Sequence, residues 1–357
     1  MPTRTARPAA TAARLEQCAA RLGQCAARLG QCAARLPGLL ARAACGLALL
    51  AALPARAETI TVTHWGSAFY GAPYAVAREK GFFQKRGLDI TGFLTSAGGG
   101  TSVRNTLAGG LPFGEVALPA AILAIQSGQP LKIVSGGVES VADILWITRP
   151  DSTLAGLSGL AGRKIAYTAP GSVTNMLILM CLRKAGIDQK ALQLVAAGDL
   201  GANLSAVLNG AVDAGMTGEP LWSQNQGKVR AGFWARDCVD PAVTQTVGIT
   251  TTEFARTGGD TLRALIDARR EAVAYIREHP DETADIVARA YNGDPALYRT
   301  VFRHFVEIGY FGDGRLNLAN MNRMLEGMKL VGRLKAPVEW GEVTDSSFLP
   351  KDLQGTQ

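Results

Sequence analysis

The stretch from Tyr74 to Ile90 admits few folds. A helix-forming run after Pro73 stops at Gly81, and glycine in that place satisfies the last helical carbonyls by turning left-handed. Phe82 and Phe83 supply buried anchors, Gly87 breaks the turn, and a strand begins at Asp89. Upstream, Ile60 to His64 reads as a strand that ends in the turn Trp65, Gly66. Strand, turn, helix, glycine stop and strand make one βαβ unit. Ligands of such folds bind at the carboxyl ends of the strands.

The pattern repeats. Strands are expected at 61–64, 89–93, 113–118 and 131–135, with helices at 73–80, 101–108 and 119–127 between them. A second set places strands at 144–148, 164–168, 192–196 and 212–217 and helices at 172–185, 202–208 and 220–225. A strand near 232–235 and a crossing segment near 247–251 close it. Beyond Asp260 the chain reads as helical over 261–278, 281–290, 295–307 and 318–331, with Asp281 and Asp294 as N-caps. Alternating units predict an α/β fold with a mostly parallel sheet in each of two lobes. A chain this long exceeds one comfortable core. Crossing strands near 143–149 and 245–251 would leave a cleft between the lobes.

The formal charge of +7 belongs to the first residues. Eight of the 37 Lys and Arg, but only Glu16 among the 30 acids, lie in residues 1–57, leaving 29 of each sign from Glu58 onward. A neutral remainder gives no electrostatic footprint for nucleic acid. Arg35 and Arg42 precede an apolar run from Ala43 to Leu53, followed by Ala55, Arg56 and Ala57. That order predicts an export signal cleaved after Ala57 and a periplasmic protein. The run is too short to span a bilayer, which takes about 20 residues. Ahead of it, a heptad repeats three times and carries Cys18, Cys25 and Cys32; residues 1–34 read as an extension without function. Cys181 and Cys238 are the cysteines left after cleavage. They form either one bridge or, the commoner outcome, two buried thiols.

Glycine-rich turns fall where strands hand over to helices: Trp65 and Gly66; Ser96, Gly98, Gly99 and Gly100; Gly171 and Ser172; and Thr217, Gly218 and Glu219 before Pro220. The turn at Leu118, Pro119 and Ala120 lacks a glycine. A helix start offers free N–H groups and partial positive charge, so several converging starts would hold an anionic group. One such turn alone is ordinary punctuation. The run 96–102 is neither a P-loop, since no lysine follows, nor a dinucleotide fingerprint. Arg104 either points at an acidic ligand or is a solvated face residue. Trp65, Phe69 and Tyr70 are candidates for stacking on a ligand, with a hydrophobic staple as the other reading. Glu219 caps its helix or accepts from a ligand amine or hydroxyl. His64, His279 and His304 stand apart, with no metal-ligand spacing and no base paired to a nucleophile. Neither catalytic residues, nor a metal, nor a cofactor are expected.

These motifs resemble, in order, those of the nitrate, sulfonate and taurine family of periplasmic substrate-binding proteins from ABC importers. Phe113 to Leu118 occupies the place of the family's GDVDIG strand, Leu157 to Ala166 resembles its DLKGKKIA segment, Asn209 to Ala214 its NGQVDA, and Glu219 with Pro220 its EP. The resemblance implies the type II periplasmic-binding-protein fold, two doubly wound parallel-sheet lobes joined by a two-strand hinge. It divides the chain into a leader 1–57, a first lobe 58–143 plus 248–349, a second lobe 144–247 and a tail 350–357. It also implies a monomer that binds a small anionic ligand and passes it to permease and ATPase subunits. Carried to matching positions, contacts would come from Trp65, Gly66, Ser96 to Gly100, Pro119, Ala120, Gly171, Ser172, and Thr217 to Pro220. The cluster from Trp65 to Tyr70 leans toward an aromatic or heterocyclic acid. An alternative on the same fold is a pyrimidine-precursor synthase of thiamine biosynthesis, which needs a supplied histidine and a cysteine-rich motif. A transcription regulator's effector half would need a helix-turn-helix where the leader stands.

Overall fold

The computed structural model describes residues 57–96 and 98–354. The leader's repeats and its apolar run lie outside them. Two five-stranded sheets organise the described residues. The chain lays down β1 (Glu58–Val62), β2 (Ile90–Leu94), β3 (Phe113–Ala117) and β4 (Leu131–Gly136). It crosses to β5 (Leu145–Thr148), β6 (Lys164–Tyr167), β7 (Gln193–Ala196), β8 (Ala214–Thr217) and β9 (Arg230–Trp234), then returns with β10 (Thr246–Thr251). The orders are β2-β1-β3-β10-β4 and β7-β6-β8-β5-β9.

Both sheets are mixed, not wholly parallel. β10 runs antiparallel to β3 and β4, and β5 antiparallel to β8 and β9. These two strands are the ones next to the connections between the sheets. A strand arriving from the other sheet enters from the opposite end and must run against its neighbours. The remaining pairs, β1 with β2 and β3, and β6 with β7 and β8, are parallel, as alternating βα units require. β3, β4, β5 and β8 are almost continuously buried, as befits strands covered on both faces.

Around the first sheet lie α1 (Ala72–Glu79), α2 (Gly99–Ala108) and α3 (Leu118–Gln126); α4 (Val173–Lys184), α5 (Leu200–Leu208) and α6 (Leu221–Gln224) follow strands of the second. After β10 come α7 (Thr252–Thr257), α8 (Gly259–Glu278), α9 (Pro280–Tyr291), α10 (Pro295–Glu307) and α11 (Leu318–Leu330). α8 buries Leu262, Leu265, Ile266, Arg269, Ala272, Val273 and Ile276, a three-four stripe facing a core. Arg269 sits inside that stripe because Glu115 of β3 meets it: Nε donates to Oε2 at 2.8 Å, with both side chains at most 2% exposed. Thr246 donates to the other Glu115 oxygen at 2.7 Å.

Two local expectations need correction. Asp281 does not cap α9; the helix begins at Pro280, whose missing N–H costs nothing in the first turn, and Asp281 instead binds Arg303 through both carboxylate oxygens. Asp294 does cap α10, accepting from the Ala296 N–H at 2.9 Å. The cysteines are not two free thiols. Cys181 on α4 and Cys238 beyond β9 form a disulfide across 57 positions, their Cα atoms 4.9 Å apart.

Candidate functional site

A cavity of about 830 Å³ lies at the strand ends of both sheets. Thr63 and His64 follow β1, Gly98 to Gly100 open α2, and Pro119 and Ala120 open α3; together they make one wall. The second wall carries Thr168 to Ser172 after β6, Gly198 and Asp199 after β7, and Gly218 and Glu219 after β8. Asp143 and Ile144 from one connection, and Gln245 from the other with Thr246 at the start of β10, complete the lining. Val103, Leu107, Leu123, Val173, Leu200 and Met216 give it apolar surface.

Of the residues singled out in the sequence, Tyr70, Gly98, Gly99, Gly100, Pro119, Ala120, Gly171, Ser172 and Glu219 line this cavity, as does Arg104. Trp65, Gly66, Phe69, Ser96 and Thr217 do not, and each has another role. Trp65 stacks on Phe93 with ring centroids 4.0 Å apart and meets the Tyr291 ring edge-on at 5.0 Å. Gly66 turns left-handed at φ 82° beside it. Phe69 is buried among Tyr291, Tyr298, Phe302 and Phe305. Ser96 ties the glycine turn to itself, donating to the Gly98 carbonyl at 3.0 Å and meeting the Ser102 hydroxyl at 2.6 Å. Thr217 is buried at the end of β8, where it pairs with Leu145. Trp65 and Phe69 thus pack as a staple, and of the cluster Tyr70 is the ring that lines the cavity.

The two walls differ in how their helices begin. None of α1, α2 and α3 has a side-chain cap. Gly99 is required at the start of α2, because a Cβ there would stand 2.7 Å from that of Ala120 on α3. On the second wall, Ser172 accepts from the Asn175 N–H at 3.2 Å and Asp199 from the Ala202 N–H at 2.8 Å. Glu219, followed by a cis peptide bond to Pro220, accepts from the Ser223 N–H at 3.3 Å and hydroxyl at 2.8 Å. The helix starts of the first wall therefore carry no side-chain acceptor, while those of the second do. At α3 the Leu118 N–H is taken by the Gln245 carbonyl at 2.9 Å, and Pro119 has no N–H.

Asp143, Gln245 and Asp199 went unread as site residues in the sequence. Asp143 was visible as the lone charge between Val141 and Ile147, and Gly198 with Asp199 repeats the glycine-turn pattern. Tyr70 donates to Gln245 at 2.8 Å, and the Gln245 amide donates to the Ser140 carbonyl and, at 3.5 Å, to Asp143. Burial first, then the Glu219 charge, pushes Asp143 up to about 7 against the pull of Tyr310 and Gln245. Burial also raises Glu219, opposed by Ser223, and lowers His64, opposed by Asp199. Burial, with Asp143 and Glu115, pushes the Tyr70 hydroxyl up. Among the described residues no three His, Cys, Asp or Glu gather to hold a metal.

Residues 68–283, more than half of the chain, match the family described as NMT1/THI5 like. The chain belongs to that family. Comparison with curated protein sequences finds no match. Among solved structures, the alkanesulfonate-binding protein SsuA from Xanthomonas axonopodis pv. citri, bound to MOPS, is 15% identical with a TM-score of 0.68, covering 83% of this chain and 100% of that one. The periplasmic nitrate-binding protein NrtA from Synechocystis PCC 6803 is 17% identical with a TM-score of 0.65, over 82% and 87%. The desulfurization enzyme DSZB is 16% identical with a TM-score of 0.58, over 82% and 97%. These identities carry the fold: it is that of the periplasmic binding proteins, and an enzyme also uses it.

Proposed function

We propose that this protein is the extracytoplasmic solute-binding component of an ABC-type importer, exported behind the leader and working as a monomer. It captures a small organic solute with an acidic group and delivers it to a membrane permease and its ATPase, with no chemistry of its own. One observation carries the reading. The cavity takes its lining from the strand ends of two sheets and from both connections between them, which is where a cleft that closes by bending those connections would hold its ligand. The lobes that move are 58–143 with 248–349, and 144–247. The acidic group lies against the uncapped starts of α2 and α3 and Arg104; in a closed cleft each hydrogen bond to a charge contributes roughly 1.5–3 kcal/mol.

The second reading, pyrimidine-precursor synthesis, is favoured by the family's name and by His64 in the cavity. It is weakened because Cys181 and Cys238 are bonded to each other, so neither offers a thiol to a cysteine-rich motif. A thermal-shift screen of small organic acids against the mature protein tests the first reading. A solute at 100 times its Kd raises stability by about 2.7 kcal/mol, and X-ray scattering should show a smaller radius of gyration with it bound. Recovery of the solute chemically changed would decide for the enzyme.

A further inference from the structure

The cavity carries more negative charge than an anion site should. Asp143, Asp199 and Glu219 line it, against Arg104 alone among lysines and arginines. Asp199 is occupied as a helix cap, and Arg104 is exposed and turned to the Thr101 hydroxyl at 2.8 Å. Asp143 and Glu219 are different. Asp143 is 6% exposed, and among the described residues no cation pairs with it. It packs on the turn that bears Glu219: a Cβ on Gly218 would lie 3.3 Å from its Oδ2. Among the described residues Glu219 has Ser223, on its own helix, as hydrogen-bond partner, and His304 of α10 is the titratable group whose charge reaches it, pulling against burial. Two carboxylates brought together at low exposure either hold a proton or take on a positive group. The opposite wall supplies an independent sign of a ligand. Thr63 lines the same cavity, is 1% exposed, and its hydroxyl has no partner among the described residues; neither has Nδ1 of His64.

We propose that Asp143 and Glu219 form a subsite for a basic nitrogen, whose N–H groups they accept, so that the solute carries a protonated amine or amidine at one end and its acidic group at the other. The inference rests on the binding reading above. It follows the polarity of the two walls: the uncapped start of α2, with Arg104 one turn on, takes the acidic end, and acceptors at the connection and the β8 turn take the nitrogen. The apolar residues between them suit a hydrocarbon body. The groups facing Asp143 are Glu219, Gln245, Tyr70 and Tyr310, none of them cationic. A cation there lowers the Asp143 pKa from about 7, so binding near neutral pH expels a proton and tightens as pH rises through that value.

The experiment is calorimetric titration at pH 7 with three probes of one shape, benzylamine, 4-(aminomethyl)benzoate and benzoate, each in two buffers of different ionisation enthalpy to count protons. The expected result is that 4-(aminomethyl)benzoate binds about 10- to 100-fold tighter than benzoate, the range of one charge-assisted hydrogen bond, with proton release. Asp143→Asn should remove that preference and the proton release while benzoate binds no worse. If Asp143→Asn does not fold, as judged by thermal melting, Glu219→Gln tests the preference for the amine-bearing probe, which it should weaken. Benzoate binding as tightly as the amine-bearing probes, without proton release, would overturn the nitrogen subsite and leave the binding cleft standing. Failure of all three probes to bind would overturn the nitrogen subsite, while the binding reading stands or falls on the thermal-shift screen.

Discussion

The two βα sets begin as copies of one plan, a strand, a turn and a helix aimed at the cavity, yet they finish it differently. In the first, the starts of α2 and α3 have no side-chain cap, and small residues let the two helix starts approach. In the second, Ser172 and Asp199 close their own helix starts, and Glu219 adds a carboxylate at the next. They are also anchored differently, the first by the buried pair Glu115 and Arg269, the second by the Cys181–Cys238 disulfide. The lesson is that the same topology can present a donor wall or an acceptor wall, and a handful of capping residues chooses between them.

The largest effect should come from the first anchor. Arg269→Met strands the Glu115 carboxylate in the core and should cost about 3–5 kcal/mol, read as a fall in the urea midpoint. A midpoint within error of wild type would mean the pair does not anchor the first sheet. Replacing both Cys181 and Cys238 by alanine should cost about 2–4 kcal/mol, and reductant should lower the melting temperature of the wild type but not of the variant. Melting that ignores reductant would deny the second set its anchor.

Trp65→Ala sharpens the contrast between staple and ligand contact. Its ring packs on Phe93 and Tyr291, so its loss should cost about 2–4 kcal/mol of stability. Solute affinity among molecules still folded should change little. A stable variant with weakened affinity would return Trp65 to the site. Smallest is Ser172→Ala, about 1 kcal/mol for a lost cap. By freeing the Asn175 N–H it should move the second wall toward the character of the first, and titration with benzoate should show no loss of affinity.

Much of the fold was legible because burial on both faces writes long apolar runs, and because glycine and proline mark their ends. The strands at 113–117, 131–136 and 164–167 fall within a residue of their expected bounds. The direction of β5 and β10 was not legible, since an apolar run reads alike in either orientation; the crossing between sheets decided it. At the site, turns could be placed but the aim of side chains could not. Trp65 and Tyr70 are five positions apart in one cluster, yet Tyr70 meets the cavity while Trp65 turns to Phe93. Asp143 and Gln245 looked like mere connection because they are 102 positions apart, and no local pattern joins residues so distant.

By itself the sequence determined the alternation of strands and helices, the glycine turns at the strand ends, and a folded part with no net charge. These depend on neighbours along the chain, through backbone conformation and the period of burial. The tertiary structure alone decided that Cys181 meets Cys238, that Glu115 meets Arg269, and that Asp143 and Glu219 share a cavity with the starts of α2 and α3. Each depends on how close two distant segments come, and electrostatics, hydrogen bonding and disulfide formation act only over the last few ångströms.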